Sequence, residues 1–487
     1  MKKSLAILLT VCLLLGAFCS CAGNEAQSGS SNAQSESDKS SSLITQDTEK
    51  KPADTQGGGE ESSSLDGEES SSLDGEESSS LGGEESSSTI EPPLKELDDS
   101  VVDLMSGISS NLLTQDRVID EEFILSQMNF SLDLFKGSVK KSVNENVFIS
   151  PLSVQLALTM NANGANGQTR SEMESVLANG ISLDDLNEYL SSYTENLPSS
   201  ENAKLEIANS IWFRDVSGFA VKRDFLQKNA NYFRAEIYKA KFDDSTVNSI
   251  NDWVDKNTDS MIKEILKEIP PDAMMYLINA IVFDAEWQNQ FNEDAIYDAE
   301  FTNIFGDKKS VEMMYRDSEY MYIEADNATG FKKNYSGGGY SFVALLPNED
   351  VSINDYIASL DESALLDTLN GIRASGEGII KIPKFKLEYE LEMSELLSEL
   401  GMSSAFGEGA DFGDLSNERL CISRVLHKTF ISLDNLGTRA GAVTMIEDSI
   451  NSAPVISWEV TLDRPFVYMI VDNATNLPIF IGAVMDI

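Results

Sequence analysis

VLHKTFISLDNLGTRAGAVTM, residues 425–445, falls into two unlike halves. Up to Leu433 it reads as a strand, with Val425, His427, Ile431 and Leu433 on one face. From Gly437 onward almost every residue is small. Such a run packs poorly as a core and has too little side-chain bulk for an efficient strand of its own. Low bulk implies that something approaches the backbone closely, or that the segment must later fit into a tight place.

The chain around it has 487 residues and a formal net charge of −45, which argues against nucleic acid or an acidic membrane surface as a partner. Much of that charge is local. Residues 24–100 are dominated by Ser, Gly, Glu and Asp, a composition that cannot offset the entropy of ordering. Inside this tract GEESSSLD starts at Gly59 and Gly67, then degenerates at Gly75 and Gly83. The period is too short and polar for a solenoid, and charge repulsion makes the tract a spacer.

Ahead of the spacer, MKKSLAILLTVCLLLGAFCSCAGNE joins two lysines to an apolar run too short to span a bilayer, as in a secretory leader. Phe18-Cys19-Ser20-Cys21 resembles a bacterial lipobox with Cys21 as the lipidated residue, while Ser20-Cys21-Ala22 also fits ordinary signal cleavage. Either route takes the chain out of the cytoplasm, to a cell surface or beyond. The expected division is a leader over 1–21, a disordered acidic spacer over 22–115 and one large domain over 116–487. Outside the leader region only Cys421 remains, so no disulfide framework is expected, and Cys421 reads as an apolar residue rather than a nucleophile.

Within the large domain Asp120 can cap a helix carrying Ile124, Met128, Leu132 and Phe135. Ser150-Pro151 makes a second helix start. Strand-like runs follow, among them LEIANSIWF, MYLINAIVF, YSFVALLP, FKLEYEL, WEVTL and FVYMIV, several apolar throughout as in strands covered on both faces. NDWVDKNTDSMIKEIL and LEMSELLSELGM read as helices among them. Without a regular βαβ rhythm the fold class is α+β, with large mixed or antiparallel sheets.

Enzyme signatures are scarce. His427 is the only histidine and reads as a buried, hydrogen-bonded structural group; no G-x-S-x-G elbow accompanies it. The Gly337-Gly338-Gly339 run leads into a strand rather than a helix, so it does not cradle phosphate. No metal, cofactor or catalytic residue is expected.

NVFISPLSVQLALTM, LINAIVFDAEW, VLHKTFISLDNLGTRAGA and DRPFVYMIVDNATNLPIFIGAV resemble, in order and spacing, the signature segments of serpins, the large family of serine protease inhibitors. The resemblance implies a monomeric suicide substrate. A protease cleaves an exposed loop and forms an acyl-enzyme, and the loop then enters the main sheet as a strand. About 14 residues at roughly 3.3 Å each would carry the protease on the order of 45 Å. Gly437, Thr438, Ala440, Ala442 and Thr444 form the hinge, and its inward parity, Thr438 to Thr444, is uniformly small. Arg439 and Asn435 stand where serpins often carry glutamate.

By the same resemblance Ser150, Ser153, Asn279 and His427 form the polar cluster, or shutter, beneath the opening sheet. Trp287 lies in the breach near its top, although Asp284 and Glu286 depart from a lysine-rich family pattern. The family's loop length places the reactive bond at Asn451–Ser452, with Ile450 and Ala453 marking neighbouring registers. Between residues 440 and 463 there is no Lys or Arg, and no aromatic residue before Trp458. That composition points to elastase-like or subtilisin-like targets rather than trypsin-like ones. The alternative is a non-inhibitory serpin acting as a surface carrier, chaperone or adhesin; bulky or charged inward hinge residues would favour it.

Overall fold

Ordered structure begins earlier in the chain than the acidic composition suggests. In the computed structural model of the protein, residues 100–111, 117–438 and 455–487 are described. The first of these stretches falls in the expected spacer, yet it joins the domain. Strand β1 (Val102–Asp103) pairs antiparallel with a sheet edge, and Leu104, Met105 and Ile108 pack on the main core. A short apolar run was hidden there by averaging over an acidic tract.

Helix α1 (Glu121–Lys141) starts where Asp120 accepts a hydrogen bond from Phe123 N at 3.0 Å. After strand β2 (Val147–Ile149), Ser150 accepts from Ser153 N at 3.3 Å and Pro151 fills the first turn of α2 (Pro151–Ala162). All twelve residues of α2 are buried, the polar Ser153, Gln155, Thr159 and Asn161 among them. Two amphipathic helices follow, α3 (Gly167–Ala178) and α4 (Leu183–Glu195). The chain then runs through β3 (Ala203–Arg214), α5 (Arg223–Tyr232), β4 (Glu236–Ala240), α6 (Asp244–Asn257) and β5 (Met275–Glu286).

The second half is richer in strands. It contains β6 (Ile296–Thr302), β7 (Lys308–Ala325), β8 (Ala328–Asn334) and β9 (Tyr340–Pro347), then helices α7 (Ile353–Ser359) and α8 (Glu362–Gly371). Strands β10 (Ala374–Pro383) and β11 (Phe385–Glu392) lead to the short helix α9 (Ser394–Leu397). The last five are β12 (Arg424–Leu433), β13 (Gly437–Thr438), β14 (Trp458–Thr461), β15 (Phe466–Asp472) and β16 (Pro478–Val484).

A helix expected across residues 251–266 ends at Asn257. Asp259 and Ser260 take positive φ, which breaks the helical path. The connector that follows is held against α6 by one side chain: Asn251 Oδ1 accepts from Ile265 N and Leu266 N, and its amide donates to Leu266 O.

The strands form two sheets. One has seven strands in the order β1-β4-β3-β5-β13-β12-β11, and the other has nine, β14-β10-β7-β8-β9-β15-β16-β2 with β6 beside β7. Both are mixed, since β3–β4, β5–β12 and β10–β14 run parallel. The α+β class holds. The seven-stranded sheet is covered on both faces. On one side it meets the main core that includes α2. On the other, α6 and its connector pack Trp253, Val254, Ile262, Ile265 and Leu266 against Trp212, Tyr276, Ile278 and Leu426. This double burial is why MYLINAIVF is apolar at nearly every position.

Because α2 is enclosed, Leu158→Ala should lower unfolding stability by roughly 2–5 kcal/mol, read from the shift of a urea transition at unchanged slope. A loss below about 1 kcal/mol would mean that α2 is not enclosed in this way.

Candidate functional site: a strand seam and the hinge above it

The parallel strands β5 and β12 pair directly at four levels among the described residues, Arg424–Tyr276, Val425–Leu277, Leu426–Ile278 and His427–Asn279. Above that point no ladder joins residues 280–284 to 428–432. At the top β13 lies between them, antiparallel to both. Gly437 and Thr438 pair with Glu286 and Ala285 on one side, and Thr438 pairs with Leu433 on the other. The sheet is therefore closed at one end, parted above it, and already entered by two residues.

The entry is tight. A Cβ on Gly437 would sit 2.1 Å from the Ala285 carbonyl oxygen, so only glycine fits between the strands there. Thr438 is buried, and its hydroxyl meets the Tyr335 hydroxyl at 2.6 Å. Burial pushes the Tyr335 phenol well above its ordinary pKa, which keeps it protonated and able to share this bond. The Tyr335 ring stacks on Trp287 at 4.5 Å with 7° between planes. Trp287 also holds the chain below the hinge: its backbone N–H donates to Leu436 O at 2.8 Å and its indole to Asp434 O at 2.9 Å. Phe291 N adds a bond to Asn435 O, and Asp434 Oδ1 accepts from Leu436 N and Gly437 N. Lys333 lies behind this layer, donating to Asn289 O with its amine 5.1 Å from the Trp287 ring centre.

At the closed end the structure brings Ser150, Ser153, Asn279 and His427 together. Ser150 N donates to His427 Nε2 at 3.1 Å, so that nitrogen must be unprotonated. The proton is then on Nδ1, which donates to Asn279 Oδ1 at 2.9 Å. The Asn279 amide donates to Ser153 O and to Asn209 Oδ1, both at 2.8 Å. His427, Asn279 and Asn209 thus form a side-chain row across β12, β5 and β3, at the last directly paired level of the seam. His427 is fully buried, and burial holds its pKa down to about 3. It has hydrogen-bond partners on both nitrogens, a backbone N–H and an amide oxygen, and neither is a side-chain hydroxyl or thiol.

On the opposite face of β12, the neighbouring residue has a comparable position. The buried Lys428 amine lies 2.7 Å from Glu388 and 3.3 Å from Glu390 on β11, and donates to Glu264 O of the connector at 2.9 Å. Burial pulls its pKa down, but the two carboxylates outweigh that and hold it above the ordinary lysine value. Lys428, Tyr335 and Asn209 are absent from the residues singled out by sequence. For Tyr335 the one local signal is an aromatic residue directly before the Ser336–Gly339 turn.

Ala440, Ala442, Thr444, Ile450, Asn451, Ser452, Ala453 and Cys21 lie outside the described residues, as do the leader and the repeats. Cys421 is half-buried rather than enclosed, and burial pushes its thiol pKa up, away from the reactive thiolate. Among the described residues no group of three or more His, Cys, Asp or Glu side chains could hold a metal ion.

The seam, the wedged hinge and the cluster beneath them define a protein class, and comparison with known proteins names it. Residues 125–487 match the family model described as Serpin (serine protease inhibitor), and the chain belongs to that family. An uncharacterized serpin-like protein of Methanosarcina acetivorans is 28% identical over 401 residues, covering 80% of this chain and 93% of its own. The crystal structure of a thermophilic serpin, tengpin, in the native state is 46% identical with a TM-score of 0.76, covering 80% of this chain and all of that one. Tengpin in the latent state, 44% identical over 77% of this chain and all of that one, gives a TM-score of 0.67. The fold therefore corresponds better to the native form. Serpins are generally protease inhibitors.

Because the folded pKa of His427 lies below the unfolded value near 6.5, the unfolded chain takes up the proton first. Its contribution, on the order of a few kcal/mol, is present above pH 6.5 and is lost as pH falls toward 3. As the only histidine, it gives a unique imidazole NMR signal. That signal should stay in the Nδ1–H neutral form from pH 8 to 5, and a midpoint near 6.5 would refute this geometry.

Proposed function

We propose that the protein is an exported suicide-substrate inhibitor of serine proteases, acting through cleavage and insertion of the loop that follows β13. One observation carries the reading: the hinge is already wedged into a seam whose strands are unpaired below it. The inward parity is set by Thr438, and the inward residues that follow, Ala440, Ala442 and Thr444, are small and uncharged. Six residues beyond Thr438 the same register brings Thr444 level with Asn279 and His427. A threonine hydroxyl, both donor and acceptor, suits a place between an amide and an imidazole.

In the proposed reaction the protease serine attacks the Asn451 carbonyl, the amine of Ser452 leaves, and the acyl ester is carried along as the loop enters the sheet. Distortion of the protease then stops water from releasing the ester. The neighbouring registers at Ile450 and Ala453 remain within the same proposal. Small and apolar residues near this bond, with no Lys or Arg between 440 and 463, favour elastase-like or subtilisin-like targets. The leader supports export, with either a lipid on Cys21 holding the chain to a membrane or ordinary cleavage releasing it.

Incubation with an elastase-like or subtilisin-like protease should give an SDS-resistant band of summed mass, and mass spectrometry of the released peptide should start at Ser452 or an adjacent residue. Thr438→Arg should abolish that band while leaving the loop cleavable, since a buried unpaired charge opposes insertion. Cleavage without a stable complex in the wild type would instead support a carrier, chaperone or adhesin. A cut before Ile446 or after Val455 would overturn the assigned bond.

A further inference from the structure

The turn after β5, residues 287–291, is bonded on two sides. Toward the hinge, Trp287 N, Phe291 N and the Trp287 indole donate to the carbonyls of Leu436, Asn435 and Asp434, so the turn holds three consecutive residues. Behind, it rests on β7 and β8. Gln288 N donates to Asn334 O at 3.1 Å, Arg316 donates to Gln290 O, and Lys333 Nζ donates to Asn289 O at 2.6 Å.

Of these supports Lys333 is the unusual one. It is buried, with its nitrogen 4.7 Å from the Phe291 ring centre, 5.1 Å from Trp287 and 5.5 Å from Tyr320. Among the described residues no carboxylate pairs with it. Arg316 and Tyr320 face it from β7, Phe342 lies opposite on β9, and the turn itself has no ionisable side chain. Its neighbour Lys332 is engaged elsewhere, bonded to Asn476 and close to Asp472. Burial keeps the phenols of Tyr320 and of Tyr335, which stacks on Trp287, protonated through pH 10. Burial, and then Arg316, hold the Lys333 pKa well below the ordinary lysine value. A neutral amine still donates to Asn289 O. An ammonium would be enclosed beside a guanidinium, with ring faces and one carbonyl to balance it.

We infer that Lys333 is a positioning residue for loop entry: its amine fixes the 287–291 turn, and the turn holds residues 434–436 where the hinge passes between β5 and β12. The inference rests on the reading that the loop enters this sheet. It goes beyond that reading in naming the group that sets the entry point from behind. A proton-dependent grip follows. When the turn lifts, Lys333 reaches water and titrates as an ordinary lysine, near pH of about 10.4. Lifting is therefore opposed most fully above that pH, and the opposition is lost as pH falls toward the folded value.

Amide hydrogen exchange of the full chain tests this without a protease. Rates at Trp287 and Phe291, divided by the intrinsic rate at each pH, give the fraction of time the turn is open. In wild type that fraction should fall by up to about tenfold per unit from pH 8 to 10, and the Leu436 and Gly437 amides, bonded to Asp434, should follow. Lys333→Met keeps the length of the side chain and suits an aromatic enclosure, but it neither titrates nor donates. Its opening should be independent of pH and, at pH 10, about tenfold above wild type, because Asn289 O loses its donor. A lysine that merely fills space would leave both profiles flat. A flat wild-type profile, or an equal slope in Lys333→Met, overturns the inference. So does a turn that loosens while Leu436 and Gly437 keep their protection. The wild-type profile decides the matter even if the methionine variant does not fold. None of these outcomes touches covalent trapping, so the proposed function stands or falls separately on the SDS-resistant band.

Discussion

The structure turns on a seam between two parallel strands that pair directly at four levels and then part. Backbone donors and acceptors along parted strands favour a partner, and β13 supplies one at the top of the seam. The remaining features of the site follow from that incomplete pairing. Gly437 is needed because the Ala285 carbonyl leaves no room for a Cβ. Thr438 sets which parity faces inward, and Tyr335, stacked on Trp287, receives it.

Opening is opposed at several places, each by a different interaction. At the entrance, Trp287 and Phe291 bind the carbonyls of residues 434–436 and fix where the hinge enters. At the level where pairing begins, a neutral imidazole joins Asn279 from inside and the Lys428 ammonium joins the connector from outside. The apolar layer under α6 spans both halves, although most of its partners lie on the β4–β3–β5 side.

Much of this was legible in the sequence because some of the signals are local. Caps at Asp120 and Ser150 are written in adjacent residues, and apolar strands covered on both faces announce themselves by composition. The small residues from Gly437 onward pointed to a tight place, and the structure has one at Gly437 itself. Tyr335 and Lys428 were not legible in the same way. Their partners lie 103 and 164 residues away, at Thr438 and Glu264, and neither residue type in its own segment points to such a contact. The connector over 258–266 misled for a related reason. Its apolar residues keep nearly helical spacing, but two left-handed residues and the Asn251 side chain give it a different path over the sheet. At residues 101–108 an acidic average concealed apolar residues that pack on the core.

On the proposed mechanism this sheet lacks one strand and becomes more stable by receiving the chain's own loop. Thermal unfolding before and after a single nick between residues 446 and 455 by a non-target protease tests it most directly. The nicked protein should unfold at a markedly higher temperature than the intact one, because the freed segment from Thr438 can then complete the sheet. Equal midpoints before and after nicking would contradict it.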